Sequence, residues 1–159
     1  MRSVKATHVL HKDVPEVWGA INKPEFLATY FASFKPLPPR LSARWTKKDS
    51  QTSGHFFSLG DSIELIDRKN ITVMSFTVRD SQENSMLEIA NEIDDSKSTI
   101  DFVFKSTFQL ASYGEGRTQV VTTLVLISKN WFVELLSLCI PIRWIYHLGI
   151  KRALKKLGQ

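Results

Sequence analysis

The sequence predicts an α+β fold, in which a curved antiparallel sheet of about six or seven strands wraps around a long C-terminal helix. Two short helices are expected after the first strand. Three observations support this. Two helix-start signals lie close together within residues 13–25, apolar alternation recurs over residues 55–128, and an apolar stripe at helical spacing begins at Asn130. With 159 residues, the chain is expected to form one domain, residues 1–159.

The N-terminal part predicts one strand and two helices. Residues 3–10 include β-branched side chains and are typical of a strand. Asp13 can cap the first helix, with Pro15 in its first turn and Glu16 in the capping-box position. A second helix is expected to begin at Pro24, with almost no linker between the two.

The next segment is dense in proline and then polar. Apart from Leu41 and Trp45 it carries no apolar pattern. No element is predicted between residues 37 and 54, which leaves the start of the second strand open.

Five runs of alternating apolar residues follow, separated by short turn signals that favour an antiparallel meander. The runs are HFFSLGDSIELID, NITVMSFTVRD, SMLEIANEI, STIDFVFKSTFQLAS and RTQVVTTLVLIS. In the fourth run, Phe104 and Phe108 share a face that is apolar, while Lys105 and Gln109 lie on the opposite face. One face of the sheet is therefore apolar and needs a cover.

The cover is expected to be the C-terminal segment, NWFVELLSLCIPIRWIYHLGIKRALKKLGQ. Its apolar residues recur at helical spacing from Asn130, a plausible N-cap, to Gly158, a plausible terminator. Glu134 and Arg143 interrupt the window and weaken the alternative of a membrane span, while an interfacial helix is a further alternative. Pro141 predicts a kink, either to follow the curved sheet or to act as a hinge.

Charge is distributed unevenly along the chain. Residues 1–60 carry a net charge of +5, residues 61–116 carry −6, and residues 117–159 carry +6. This pattern favours solvated faces of opposite sign, leaves peripheral contact with anionic lipid open, and argues against nucleic acid, because no continuous basic module is present. Cys139 is the lone cysteine and the N-terminus lacks a signal peptide's apolar core, so a cytoplasmic location is expected.

Four motifs resemble segments of the START-like superfamily, the helix-grip fold that includes the polyketide cyclase/dehydrase proteins (SRPBCC). They are DVPEVWGAINKPEFLATYF, LGDSIEL, GEGRTQVVTTLVL and YHLGIKRALKKLGQ. The resemblance covers nearly the whole chain, and residues 37–54 depart from it. It implies a hydrophobic cavity between the sheet and the last helix. Family members bind lipids or other hydrophobic molecules, and some are enzymes.

Motifs for a nucleophile elbow, a phosphate-binding loop or a zinc protease are absent from the sequence. No cofactor, metal ligand or catalytic residue is therefore assigned. Glu88 and Glu92 share a strand face opposite the apolar one, which favours a solvated pair over an acid/base pair. Arg143 could hold an anionic headgroup, or its side chain could reach the surface.

Twelve residues are predicted to line the cavity, although for the phenylalanines and Trp131 the pattern favours plain core over ligand contact. They are Tyr30, Phe34, Phe56, Phe76, Phe104, Phe108, Trp131, Leu135, Leu138, Ile142, Arg143 and Tyr146. Three functions follow: a non-catalytic pocket for a hydrophobic small molecule or lipid, a cofactor-independent cyclase or dehydratase, and a membrane- or protein-docking module. A buried polar pair, with His147 or Arg143 facing Tyr30 or Tyr113, would favour the enzyme. The oligomeric state is left open.

Overall fold

The structure is a computed structural model that describes residues 2–33, 40–48, 56–91, 102–128 and 142–158. In these ranges the chain forms seven strands and three helices, in the order β1-α1-α2-β2-β3-β4-β5-β6-β7-α3. The strands are β1 Arg2–Leu10, β2 Ser42–Lys47, β3 Ser62–Ile66, β4 Thr72–Gln82, β5 Met86–Asn91, β6 Phe102–Ser112 and β7 Thr118–Ser128. The helices are α1 Val14–Ile21, α2 Pro24–Ala32 and α3 Ile142–Leu157.

The two N-terminal helices begin where the sequence predicts. Asp13 Oδ1 accepts a hydrogen bond from the backbone N–H of Glu16 at 2.9 Å, so one free donor of the first turn of α1 is satisfied. Pro24 begins α2 without a side-chain cap. Because both helices are short, their stability depends on the apolar side chains that they bury, among them Ile21 and Leu27.

All seven strands form one antiparallel sheet with the order β1-β7-β6-β5-β4-β3-β2. Register shifts interrupt the pairing between Val78 and Asp80 in β4, between Leu65 and Ile66 in β3, and near Trp45 in β2. Such irregularities bend a strand and increase its twist, so they curve this side of the sheet. The predicted α+β fold, a helix-grip arrangement with a curved antiparallel sheet, is confirmed.

Strand β2 lies inside the segment for which no element was predicted. It pairs with β3 along the edge of the sheet, and its inward residues Ala43 and Trp45 are only half-buried. The alternation of Leu41, Ala43 and Trp45 was the available signal. An edge strand that buries so little produces a weak pattern, which is why this element was missed.

Helix α3 packs against β1 and α2 through one face. Ile150, Ala153 and Leu154 are fully enclosed on that face. At its end, the backbone N–H of Gly158 donates to the carbonyl of Lys155, and Gly158 lies against the side chain of Leu10. Within the described ranges, no helix is both long and apolar enough to cross a bilayer.

The predicted N-cap at Asn130 and the predicted kink at Pro141 lie outside the described residues. The same holds for most of the apolar stripe predicted for the C-terminal segment. For the part that is described, α3 extends the stripe to residues beyond Tyr146, since Ile150 and Leu154 are buried.

Candidate functional site

Among the described residues, the inner face of the sheet is largely apolar, and a few buried hydroxyl side chains lie within it. One row of directly paired residues crosses five neighbouring strands from β1 to β4. Its members, all buried, are Val4, Leu124, Ser106, Ile89 and Val78. The next row places Thr122 between Ala6 and Phe108. Because side chains alternate along each strand, the charged residues of these strands point to the other face.

The outer face carries the charged partners. Lys105 Nζ lies 2.9 Å from Glu88 Oε1, and the Thr107 hydroxyl donates to Glu88 Oε2 at 3.3 Å. On the neighbouring edge, Arg44 pairs with Glu64 at 2.6 Å. Glu88 therefore belongs to a surface ion pair, as its position on the strand predicts, and Glu92 lies outside the described residues.

Helix α2 covers this inner face with aromatic rings. The ring of Tyr30 lies 5.1 Å from that of Phe108 and 5.0 Å from that of Phe31, both edge to face. Phe31 stacks on Phe76 of β4 at 4.5 Å. Phe26 approaches Phe108 edge to face at 5.3 Å. These are favourable geometries for aromatic pairs, and together they fix α2 over β4 and β6.

Among the described residues, the hydroxyl oxygens of Tyr30, Ser106 and Thr122 are enclosed in this apolar interior. Burial raises the pKa of the Tyr30 phenol far above its ordinary value, and the nearby Ser106 hydroxyl lowers it slightly. Tyr30 is therefore a neutral hydrogen-bonding group over the whole physiological pH range. Within the part of the chain that the structure describes, the Thr122 hydroxyl has no hydrogen-bond partner.

Five predicted lining residues lie in or beside this interior. Tyr30, Phe76 and Phe108 are fully buried, whereas Phe104 and Tyr146 are half-buried and pack against the core. Burial raises the pKa of the Tyr146 phenol as well. The predicted residues are thus brought together on the inner side of the sheet and on the inner side of α3. Their role as ligand contacts stays a prediction.

Phe56 faces outward, with 48% of its surface exposed and the Lys23 ammonium 5.7 Å from its ring centre. Its neighbour Phe57 takes the inward position and packs edge to face on Trp45 at 5.3 Å. The reason is local. The buried Asn22 side chain accepts a hydrogen bond from the backbone N–H of Phe57 at 3.0 Å, which anchors this residue to the end of α1.

The remaining predicted lining residues are not placed. Phe34, Trp131, Leu135 and Leu138 lie outside the described residues, and Ile142 and Arg143 are described only as the first backbone positions of α3.

The predicted polar pair that would favour an enzyme consists of His147 or Arg143 facing Tyr30 or Tyr113, and the side chain of Arg143 lies outside the described part of the structure. Tyr113 lies in the turn between β6 and β7, half exposed, with the Arg117 guanidinium 5.7 Å from its ring centre. It is therefore not an interior residue. His147 is half-buried on α3, and Tyr30 is enclosed. Among the described residues no cluster of three metal-binding side chains occurs.

Sequence reasoning missed several residues of this interior. Phe31, Ile89 and Leu124 are buried beside the predicted residues. Ser106 and Thr122 were missed because a hydroxyl residue in an apolar run was not counted, although both occupy the inward phase of their strands. Strand alternation alone could have identified them.

Comparison with solved structures identifies the fold. A START superfamily protein from Mycobacterium smegmatis superposes with a TM-score of 0.65, at 12% sequence identity over 98% of this chain and 94% of that one. The fold of this chain is START-like. The Thermus thermophilus protein TTHA0849 gives a TM-score of 0.67 at 15% identity, covering 99% and 94% of the two chains. Ara h 8.0201 gives 0.57 at 8% identity, covering 97% and 98%.

At these identities the likeness establishes the START-like fold and not an activity. No family model matches the sequence, and no curated protein is significantly similar to it. The order of the strands and the position of α3 against β1 are consistent with the resemblance that the sequence motifs indicated.

Proposed function

We propose that this protein is a non-catalytic binding module that holds a hydrophobic small molecule or lipid between the inner face of its sheet and its C-terminal segment. The observation that carries the proposal is the inner face itself. It is largely apolar across the strands from β1 to β4, and the aromatic rings of α2 pack over it. In small-molecule sites, apolar walls with few polar groups are the rule.

Two half-buried aromatic residues give the proposal a specific location. Along β6, Phe108 and Ser106 are enclosed, whereas Phe104 retains exposure. Tyr146 also retains exposure, and at 100° per residue it lies about 160° around α3 from the exposed Trp144. Both rings therefore border the interior without being closed off from solvent. We assign them as the first contacts of an entering apolar ligand.

The enclosed hydroxyls define the preferred ligand more narrowly. A ligand with a carbonyl or hydroxyl oxygen near one end could satisfy the Thr122 hydroxyl, whose burial without a partner is unfavourable. A pure hydrocarbon could not. We therefore expect oxygenated apolar molecules, such as fatty acids or quinones, to bind better than alkanes of equal size.

A cyclase or dehydratase reaction is the weaker proposal. Among the described residues, the buried polar side chains include no histidine, lysine or arginine. The enclosed phenol of Tyr30 can donate a hydrogen bond but is not available as a base near neutral pH, because burial raises its pKa and keeps it protonated. Such a group could stabilise a ligand's oxygen without carrying out proton abstraction.

Native mass spectrometry of the purified protein, combined with titration of an apolar fluorescent dye, tests the binding proposal. We expect a bound molecule or a saturable dye signal that long-chain fatty acids displace. Tyr146→Ala should weaken dye binding about tenfold, since an aromatic contact contributes about 1.4 kcal/mol. Tyr113→Ala is the matched control, because it makes the same change at a half-exposed turn position.

Absence of both a bound molecule and dye uptake would exclude the binding module. If Tyr146→Ala and Tyr113→Ala weaken dye binding equally, Tyr146 is not part of the site. The protein would still be a binding module in that case.

A further inference from the structure

The outward face of α3 combines one exposed tryptophan with a group of basic residues. Trp144 is 64% exposed, and Lys151, Arg152, Lys155 and Lys156 are all exposed. We name these five residues the α3 outer face. Residues 142–158 contain no aspartate or glutamate. The helix therefore presents a large aromatic side chain and four positive charges to solvent, with no acidic residue of its own to offset them.

The geometry places most of this surface along one line. At 100° per residue, Trp144, Lys151 and Lys155 lie within about 40° of one another around the helix axis. At 1.5 Å per residue, Trp144 and Lys155 are roughly 16 Å apart along that axis. Arg152 and Lys156 flank the line on one side. Arg152 lies about 80° and Lys156 about 120° around the axis from Trp144. A flat surface could therefore touch Trp144, Lys151 and Lys155 together, with Arg152 at its margin.

The ion pairs seen among the described residues, such as Lys12 with Glu16, Arg44 with Glu64 and Lys105 with Glu88, do not involve the basic groups of the α3 outer face. The opposite face of the helix is anchored in the core by Ile150 and Leu154, so the outer face is available without any movement of the helix.

We propose that the α3 outer face docks the protein on an anionic lipid bilayer, which goes beyond ligand binding in the interior. Lysine and arginine are attracted to a negatively charged membrane surface, and each contributes about 1 kcal/mol there, which is a fivefold effect on binding. Tryptophan prefers the interface between headgroups and acyl chains. Because the apolar face of α3 is packed in the core, the membrane contact would be made by these charges and the single Trp144 ring.

Vesicle co-sedimentation tests the proposal with the full chain. The probes are vesicles of phosphatidylcholine with about one third phosphatidylglycerol, and vesicles of phosphatidylcholine alone. We expect binding to the anionic vesicles that weakens as salt is raised, because salt screens exposed charges. Equal binding to both kinds of vesicle would overturn the proposal, as would no binding to either.

Paired variants locate the surface. Lys151→Gln/Lys155→Gln should weaken binding to anionic vesicles roughly 25-fold, two fivefold steps. Arg68→Gln/Lys69→Gln makes the same change in charge at two exposed residues of the β3–β4 turn and should have no comparable effect. A similar loss in both pairs would show a general charge effect and overturn the assignment to α3.

The aromatic contribution is tested separately. Trp144→Ala should weaken binding about tenfold, because it removes the main apolar area that enters the interface. Ile71→Ala is its control, since Ile71 is 58% exposed and lies away from α3 in the sequence. Circular dichroism of each variant verifies that the fold is kept. Binding to a DNA or RNA oligonucleotide with no binding to anionic vesicles would assign the surface to nucleic acid and overturn the proposal.

Discussion

Replacing Tyr30 with phenylalanine removes one enclosed hydroxyl and keeps the ring. The edge-to-face contacts with Phe31 and Phe108 survive, so at neutral pH we expect the free energy of unfolding to fall by no more than about 1.5 kcal/mol. A second effect appears at alkaline pH. Because burial raises the pKa of Tyr30, the folded protein favours the neutral phenol. The contribution of the neutral Tyr30 phenol to the free energy of unfolding is fully present below about pH 10. It is lost as the pH rises from the pKa of the unfolded chain towards the pKa of the folded protein.

The size of the alkaline effect follows from one proton. Above about pH 10 the wild-type protein should lose up to about 1.4 kcal/mol of unfolding free energy per pH unit relative to Tyr30→Phe. Urea unfolding of both proteins between about pH 9 and pH 11, followed by circular dichroism, measures that difference. Tyr113→Phe makes the same change at a half-exposed position and is the matched control. Parallel curves for the wild type and Tyr30→Phe would refute the reasoning.

Two further predictions concern the scaffold of the site. Leu154→Ala should lower the free energy of unfolding by about 3 kcal/mol in urea titrations, because Leu154 is fully enclosed where α3 meets the core. Leu148→Ala is the matched control, because Leu148 is only half-buried. An equal fall in the free energy of unfolding for Leu148→Ala would contradict the assigned orientation of α3. Asn22→Ala should cost about 1–3 kcal/mol by thermal unfolding, since it leaves the buried backbone N–H of Phe57 without its acceptor. A change below about 0.5 kcal/mol would show that water replaces the side chain.

Much of the fold was predictable because its signals are local. Asp13 caps the first turn of α1 and Pro15 lies within that turn, so the residue types themselves predict where the helix begins. The strand alternation gave the inner face of β6 correctly. Strand β2 was not predictable in the same way, since Ala43 and Trp45 are only half-buried and the strand depends on pairing with β3.

The candidate site was harder to predict than the fold. Phe76 and Phe108 lie in regular strands, where alternation determines which way a side chain points. Phe56 and Phe57 lie in an irregular segment, where orientation is set by the hydrogen bond that the Phe57 backbone N–H donates to the side chain of Asn22, 35 residues earlier in the sequence. No periodic pattern can report such a contact. Ser106 was missed for a different reason. Strand alternation predicts that its side chain points inward, but a polar residue was not expected in the interior.

The strand order has a consequence for how the chain is completed on the ribosome. Every strand from β2 to β7 lies beside one made immediately before or after it, whereas β1 pairs with β7 alone. Leu10 therefore cannot pair with Thr118 until more than a hundred further residues have been synthesised. At typical synthesis rates this takes roughly 5–20 s. Throughout that interval Val4 and Ala6 lack the neighbouring strand that finally shields them.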